Sequence, residues 1–249
     1  MTTLAIIGGT GLSRMEGLTI ERREMIKTPF GAPSCPILFG KLNGLAVAFL
    51  ARHGSKHQIP PHQINYCANL WALDSVGIER IIAVGSVGGI ADDCALGTIV
   101  VPDQIIDYTH GRENSFYDGT HGLNDVMVRA IDFSQPYDNT LRKALIDGGS
   151  ESGQKIVATG TYGVSSGPRL ETAAEVRRME KDGCTVVGMT GMPEAALARE
   201  LGVAYACCAV VVNRAAGKDG SVATDALAAS VESGMKNARS VLKSALAKL

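Results

Sequence analysis

No charge sign dominates this chain. Its 249 residues carry 24 Lys and Arg against 25 Asp and Glu, a net charge of −1. The basic footprint of a nucleic-acid binder is therefore missing, and no nucleic-acid partner is expected. No apolar run reaches the roughly 18–20 residues that a membrane span needs, so no membrane partner is expected either. The N-terminus lacks a basic region leading into an apolar core and a cleavage site, and does not read as a signal peptide. No stretch is rich in Pro, Ser or Gln, and no repeat or linker divides the chain. Residues 1–249 thus read as one domain, and 45% apolar composition is enough for a full α/β core. The six cysteines, Cys35, Cys67, Cys94, Cys184, Cys207 and Cys208, form no C-x-x-C and lack zinc-site spacing. They read as buried free thiols in a reducing cytoplasm.

What the chain does have is a succession of short apolar runs rich in β-branched residues. Strands are expected at Leu4–Ile7, Leu45–Ala51, Ile81–Val84, Thr98–Val101, Lys155–Thr159, Thr185–Met189 and Val203–Val212. Several runs are continuous rather than alternating, as in strands buried on both faces. Helices are expected at His62–Val76, Leu141–Ile146, Thr172–Lys181, Glu194–Leu201 and Asp225–Ala247. The first should carry Ile64, Ala68, Trp71 and Ala72 on one face; the last has an apolar stripe from Leu227 to Leu246. Strands alternating with helices imply an α/β fold, one domain with a twisted mixed β-sheet flanked by helices.

Five of these strands empty into glycines or donors: Gly8-Gly9-Thr10, Arg52-His53-Gly54, Gly85-Ser86-Val87-Gly88-Gly89, Thr190-Gly191 and Asn213-Arg214. Ligands of open α/β sheets sit beyond the carboxyl ends of strands, so these corners are expected to form one site. Its donors suit an anion: the Arg52 fork, the Thr10 and Thr190 hydroxyls, and the backbone N–H groups of two glycine turns. There is no G-x-x-x-x-G-K-[ST] motif and no acidic cluster for a metal, so a free phosphate ion fits better than a nucleoside triphosphate. A dinucleotide fingerprint fails on the letters, because Arg14 and Thr10 stand where its two possible frames need glycine.

The motifs IIGGTGL, ARHG followed by NYCANLWAL, GSVGGI, SFYDGTH, GPRLETAAE and GMTGMPEAALARE occur in this order. Together, from about Leu4 to Leu246, they resemble the trimeric purine nucleoside phosphorylase and methylthioadenosine phosphorylase family. The resemblance implies phosphorolysis of a purine nucleoside to free base and pentose 1-phosphate. Inorganic phosphate would be co-substrate, with no metal or organic cofactor. It implies a cytoplasmic homotrimer or dimer of trimers, with SFYDGTH and the loop around His57 as interface pieces. Carried over by position, Thr10, Arg52, His53, Ser86 and Thr190 resemble the phosphate contacts. Met189 resembles the residue under the ribose, Leu170 the wall of the base pocket with Val87 and Gly88 nearby, and Glu171 and Asn213 the readers of the purine edge. Glu171, Asn213 and His53 carry the catalytic roles.

The base is where the family divides. Members cleaving methylthioadenosine usually carry serine and aspartate where Glu171 and Asn213 stand; members cleaving inosine and guanosine usually carry the glutamate and asparagine. An ionised Glu171 only accepts hydrogen bonds, which matches N1–H of hypoxanthine and clashes with the N1 lone pair of adenine. A methylthioadenosine-type body with this pair resembles the bacterial methylthioinosine-cleaving branch. Val222, Thr224 and Leu227 align with the 5′ end of the nucleoside. Thr224 suits a 5′-hydroxyl or a helix cap equally, and Ala130 stands near where methylthio-type relatives supply a histidine from a neighbouring subunit. Inosine/guanosine or methylthioadenosine phosphorolysis therefore stays open, as does a purine-nucleoside-binding protein without catalysis.

Overall fold

The computed structural model describes residues 2–12, 14–117, 130–218 and 224–249, with 224–226 as backbone only. In chain order the elements are β1 (Leu4–Gly8), β2 (Leu18–Glu24), β3 (Ile37–Leu42), β4 (Leu45–Ala51), α1 (Tyr66–Ser75), β5 (Arg80–Gly89), β6 (Ile99–Val100) and β7 (Gln104–Asp107). They continue with α2 (Asn139–Glu151), β8 (Ile156–Val157), β9 (Thr161–Val164), α3 (Ala173–Lys181), β10 (Cys184–Gly188), α4 (Glu194–Glu200), β11 (Ala204–Arg214) and α5 (Thr224–Leu246). The strands join in one mixed sheet, ordered β2-β3-β4-β1-β5-β10-β9-β7, with β11, β6 and β8 branching from β5.

All seven expected strands form, within a few residues. Four more were not apparent. β2 reads LTIERRE and lies exposed at the sheet edge, where charge blunts an open ladder. β3 and β9 are interrupted by Gly40 and Gly163, and β7 is a four-residue half-exposed strand.

Two helical expectations need correction. The segment from His62 does not begin a helix: Pro61–Gln63 is a single 3-10 turn, and Asn65 caps α1 by accepting from the Ala68 N–H at 2.9 Å. α1 is also not one-faced. Tyr66 to Leu70, Ala72 and Leu73 are all buried, while Trp71 is half-buried. The stripe on α5 does pack inward: Met235, Ala238, Val241, Leu242 and Leu246 are buried, and the helix lies against α2 and β11. All six cysteines are buried, and none is in a disulfide. Among the described residues, no helix is long and apolar enough to cross a membrane.

β5 positions the site. Its first half pairs in parallel with β1, from Leu4 opposite Arg80 to Ile7 opposite Ala83. Then β1 ends, and β10 becomes the antiparallel neighbour at Gly88 and Gly89. Along its other edge β11 runs parallel to it throughout, with an irregularity between Val211 and Asn213. The sheet therefore opens where β1 stops and β10 has not yet joined. Clefts of α/β folds form at such points of changing strand order. This also corrects one reading: Gly85-Ser86-Val87-Gly88-Gly89 is not a turn after the strand but its second half.

Candidate active site

The opening holds a cavity of about 180 Å3. At one end lie Gly9 and Thr10 from the turn after β1, His53, Gly85 and Ser86 from β5, and Thr190 after β10. At the other lie Leu170, Glu171 and Asn213, the last beside Gly88, and Val87, Val187 and Met189 line the cavity as well. Gly188, Val212, Pro61 and, from α5, Leu227 and Val231 complete the lining. All five strand corners thus contribute to the lining, the second of them through His53.

Arg52, the neighbour of His53 in that corner, sits immediately beneath. It is 1% exposed and is not part of the lining. Its Nε and Nη2 donate to the two carboxylate oxygens of Glu194 at 2.7 and 2.6 Å, and Nη1 donates to Val84 O at 3.0 Å. Three of the five guanidinium N–H groups are thereby engaged. Burial disfavours the charged guanidinium, but the facing Glu194 carboxylate outweighs it and holds the proton more firmly than usual. Tyr205 also donates to Glu194, at 2.8 Å. The turn above rests on this pair. A Cβ at position 9 would lie 2.6 Å from Val84 O and 3.0 Å from Arg52 Nη1, so only glycine lets the loop pass this close.

His53 is fixed as a neutral ring. Nδ1 lies 2.8 Å from Ile59 O, and a carbonyl partner requires the proton on Nδ1. Burial, with the charge of Arg52 adding to it, pushes its pKa down to about 4. Nε2 is then an acceptor at neutral pH.

The wall carrying Leu170 and Glu171 is held differently. Gly167, at φ +64°, lets the chain fold over Met189, whose Sδ would be 2.5 Å from any Cβ there. The loop then delivers Leu170 and Glu171 and stops at Thr172, the N-cap of α3. Thr172 Oγ1 accepts from Glu175 N–H at 3.1 Å, and the Glu175 carboxylate accepts from Thr172 N–H at 2.7 Å. Arg169 clamps the same Glu175 through two bonds of 2.8 and 2.7 Å. Glu171 itself accepts from the Ser165 hydroxyl. Asn213 donates one amide N–H to Arg214 O at 2.7 Å, which leaves the other N–H and the oxygen for a ligand.

Thr10, His53, Ser86, Val87, Gly88, Leu170, Glu171, Met189, Thr190, Asn213 and Leu227 thus come together as expected from their motifs. Val222 and the side chain of Thr224 lie outside the described residues, as does the second half of SFYDGTH. Sequence reasoning missed Pro61, Val231, Ser165 and the Glu194–Tyr205 support. A signal for Glu194 was present: it is the acid that opens an otherwise apolar helical stretch, EAALA, with all but one of those residues buried and little reason to bury a carboxylate unpaired.

A mixed sheet that opens at a change of strand order, with hydroxyl and backbone donors at one end of the opening and a carboxylate and an amide at the other, has the form of a small-molecule site in an α/β enzyme. The chain belongs to the phosphorylase superfamily, whose model matches residues 3–247. A relative from Pseudomonas syringae pv. tomato, a probable S-methyl-5′-thioinosine phosphorylase, is 48% identical over 249 residues, covering all of this chain and 98% of its own. A 6-oxopurine nucleoside phosphorylase from Pyrococcus furiosus is 46% identical over 90% of this chain and 84% of its own. Among solved structures, methylthioadenosine phosphorylase from Schistosoma mansoni in complex with adenine matches with a TM-score of 0.92 at 30% identity, covering 99% of this chain and 91% of that one.

Proposed function

We propose that this chain cleaves the N-glycosidic bond of S-methyl-5′-thioinosine with inorganic phosphate, giving hypoxanthine and 5-methylthioribose 1-phosphate. The observation that carries this reading is the pairing of Glu171 and Asn213 at one end of a cavity whose other end presents Gly9, Thr10, Ser86 and Thr190. The names borne by the Pseudomonas and Pyrococcus relatives, one for methylthioinosine and one for 6-oxopurine nucleosides, support the same base.

A hydrogen phosphate oxygen attacks C1′ of the sugar while the C1′–N9 bond breaks and its electron pair passes into the purine, which takes up the proton that hydrogen phosphate gives up and leaves as neutral hypoxanthine. Positive charge grows on the sugar and negative charge on the base. Phosphate, held by Thr10, Ser86 and Thr190, stabilises the first. The Arg52 guanidinium supports it from below the Gly9 turn, with two N–H groups beyond those engaged by Glu194 and Val84. His53 Nε2 accepts a hydrogen bond donated by a protonated phosphate oxygen. Asn213 donates to the purine at N7 or O6, and Glu171 accepts from N1–H. Fixed donors where charge develops are worth about 3–4 kcal/mol each, and holding two substrates in register adds to that. Met189 packs under the ribose and Leu170 against the base. Leu227 and Val231, both apolar, favour a methylthio group at the 5′ end over a hydroxyl. Val222 and Thr224 belong to that same end.

The reaction needs no metal and no organic cofactor. The protein works in the cytoplasm as a homotrimer. Leu170, 46% exposed beside the cavity, is suited to cover by a neighbouring copy.

The test is kcat/KM for methylthioinosine, inosine and methylthioadenosine, each with and without phosphate. Phosphate-dependent cleavage of methylthioinosine, at least about tenfold above methylthioadenosine, is the expected result; tenfold corresponds to about 1.4 kcal/mol at the transition state. Preference for methylthioadenosine would overturn the base assignment, preference for inosine the 5′ assignment, and cleavage of none the catalytic reading.

A further inference from the structure

Glu171 stands in a partition. On one side is the 180 Å3 cavity; on the other is a second cavity of about 620 Å3, lined by Tyr108, His110, Arg169, Glu175 and Arg178, with Glu171 and Ser165 at its inner edge. The outer side holds a cation, Arg169, which lines that cavity together with Glu171. The loop carrying Glu171 does not decide which way its oxygens face, since its hydrogen bonds through Arg169, Thr172 and Glu175 fix only the neighbouring backbone. Ser165 does. It directly follows β9, its N–H donates to Gly188 O at 2.8 Å, and the last pair of the β9–β10 ladder, Val164 opposite Gly188, is adjacent. Its hydroxyl is thus held by the sheet and donates to Oε1 of Glu171.

We infer that Ser165 is a positioning residue for base selection: it holds one oxygen of Glu171 and so turns the other toward the N1–H of a 6-oxopurine. This rests on the proposed reading of Glu171. A carboxylate oxygen already satisfied by a sheet-anchored hydroxyl cannot swing to the arginine side without giving up a charge-assisted bond. A base with an N1 lone pair meets the remaining oxygen head-on. Selectivity then comes from the pair Ser165–Glu171 rather than from the glutamate alone.

Ser165→Ala should lower kcat/KM for methylthioinosine by about tenfold, chiefly through KM for the nucleoside, the range expected for loss of a hydrogen bond to a charged group. KM for phosphate should stay within about twofold, and activity on methylthioadenosine should hold or rise. Ser165→Thr, which keeps the hydroxyl, should restore most of the loss. In a Glu171→Gln background, adding Ser165→Ala should change little, because there is no longer a carboxylate to turn. Equal losses on both bases, no rescue by threonine, or the full loss repeated in the Glu171→Gln background would each overturn the inference. Absence of cleavage of any 6-oxopurine nucleoside by the unaltered protein would overturn the underlying reading instead, and the inference with it.

Discussion

The two ends of the cavity are built to different standards. The anion end is part of the core. Arg52, Glu194 and His53 are all buried; Arg52 is tied to Glu194, 142 residues away, and to Val84 within β5, and His53 to Ile59 in the adjoining loop. The base end hangs on a loop, with Leu170 exposed and Glu171 held by one hydroxyl and the turn around it. Phosphate is the same in every reaction of this kind, whereas the base differs between relatives. A seat for the constant substrate can be merged with the fold; a reader of the variable one is better placed where letters change without disturbing packing.

The largest effect should follow from breaking the anion end's support. Glu194→Gln leaves the buried Arg52 charged without its counter-ion, and removing one partner of a buried pair destabilises by about 3–5 kcal/mol. At this chain length that corresponds to a fall in Tm of roughly 10 °C. Phosphate KM should rise as well, since the Gly9 turn rests against Arg52. Differential scanning calorimetry and phosphate titration of the residual activity would measure both. A variant as stable as the parent would show that the pair is not part of the fold's support.

His53 sharpens the contrast through pH. Its folded pKa of about 4 lies below the ordinary 6.5, so the unfolded chain takes up the proton first. Stability from this residue is complete above pH 6.5 and is lost as pH falls toward 4, by up to about 3 kcal/mol. A His53→Gln variant retains an N–H for Ile59 O but cannot titrate. Denaturant midpoints of the two proteins should therefore diverge between pH 7 and pH 4, with the parent losing more. Parallel losses would mean that the ring is free to charge in the folded state.

Much of this was legible in the letters, and the pattern of what was not is itself physical. Strand ends announce themselves, because a continuous apolar run that stops at Gly-Gly-Thr or Arg-His-Gly has only a few structural uses. The corners carrying Thr10, His53, Thr190 and Asn213 were therefore visible before any coordinates. The second half of β5 was not, since Gly85, Gly88 and Gly89 read as a turn while the ladder to β11 keeps them extended. Local propensity yields there to pairing with a strand more than 100 residues away. Arg52 shows the same limit. Its fork of donors was evident, but the partner that fixes it lies 142 residues further on, and no local pattern links them. The Ser165–Glu171 bond spans only six residues, yet it depends on how the Gly167 turn folds back.

The base end should yield to a change that the anion end would not tolerate. Replacing Glu171→Ser together with Asn213→Asp exchanges an acceptor for a hydroxyl that can donate to N1 of a 6-aminopurine, and an amide for an acceptor that suits its amino group. A mispaired buried polar group costs about 1–3 kcal/mol, so the ratio of kcat/KM for methylthioinosine over methylthioadenosine should fall by roughly 10- to 100-fold. Tm should move far less than in Glu194→Gln, because neither residue supports the core, and phosphate KM should hold within about twofold. That combination, altered base preference on an unaltered anion seat, is what a division of labour between the two ends requires. If the ratio stays fixed while stability falls, the reading pair has been misassigned and the two ends are one structural unit.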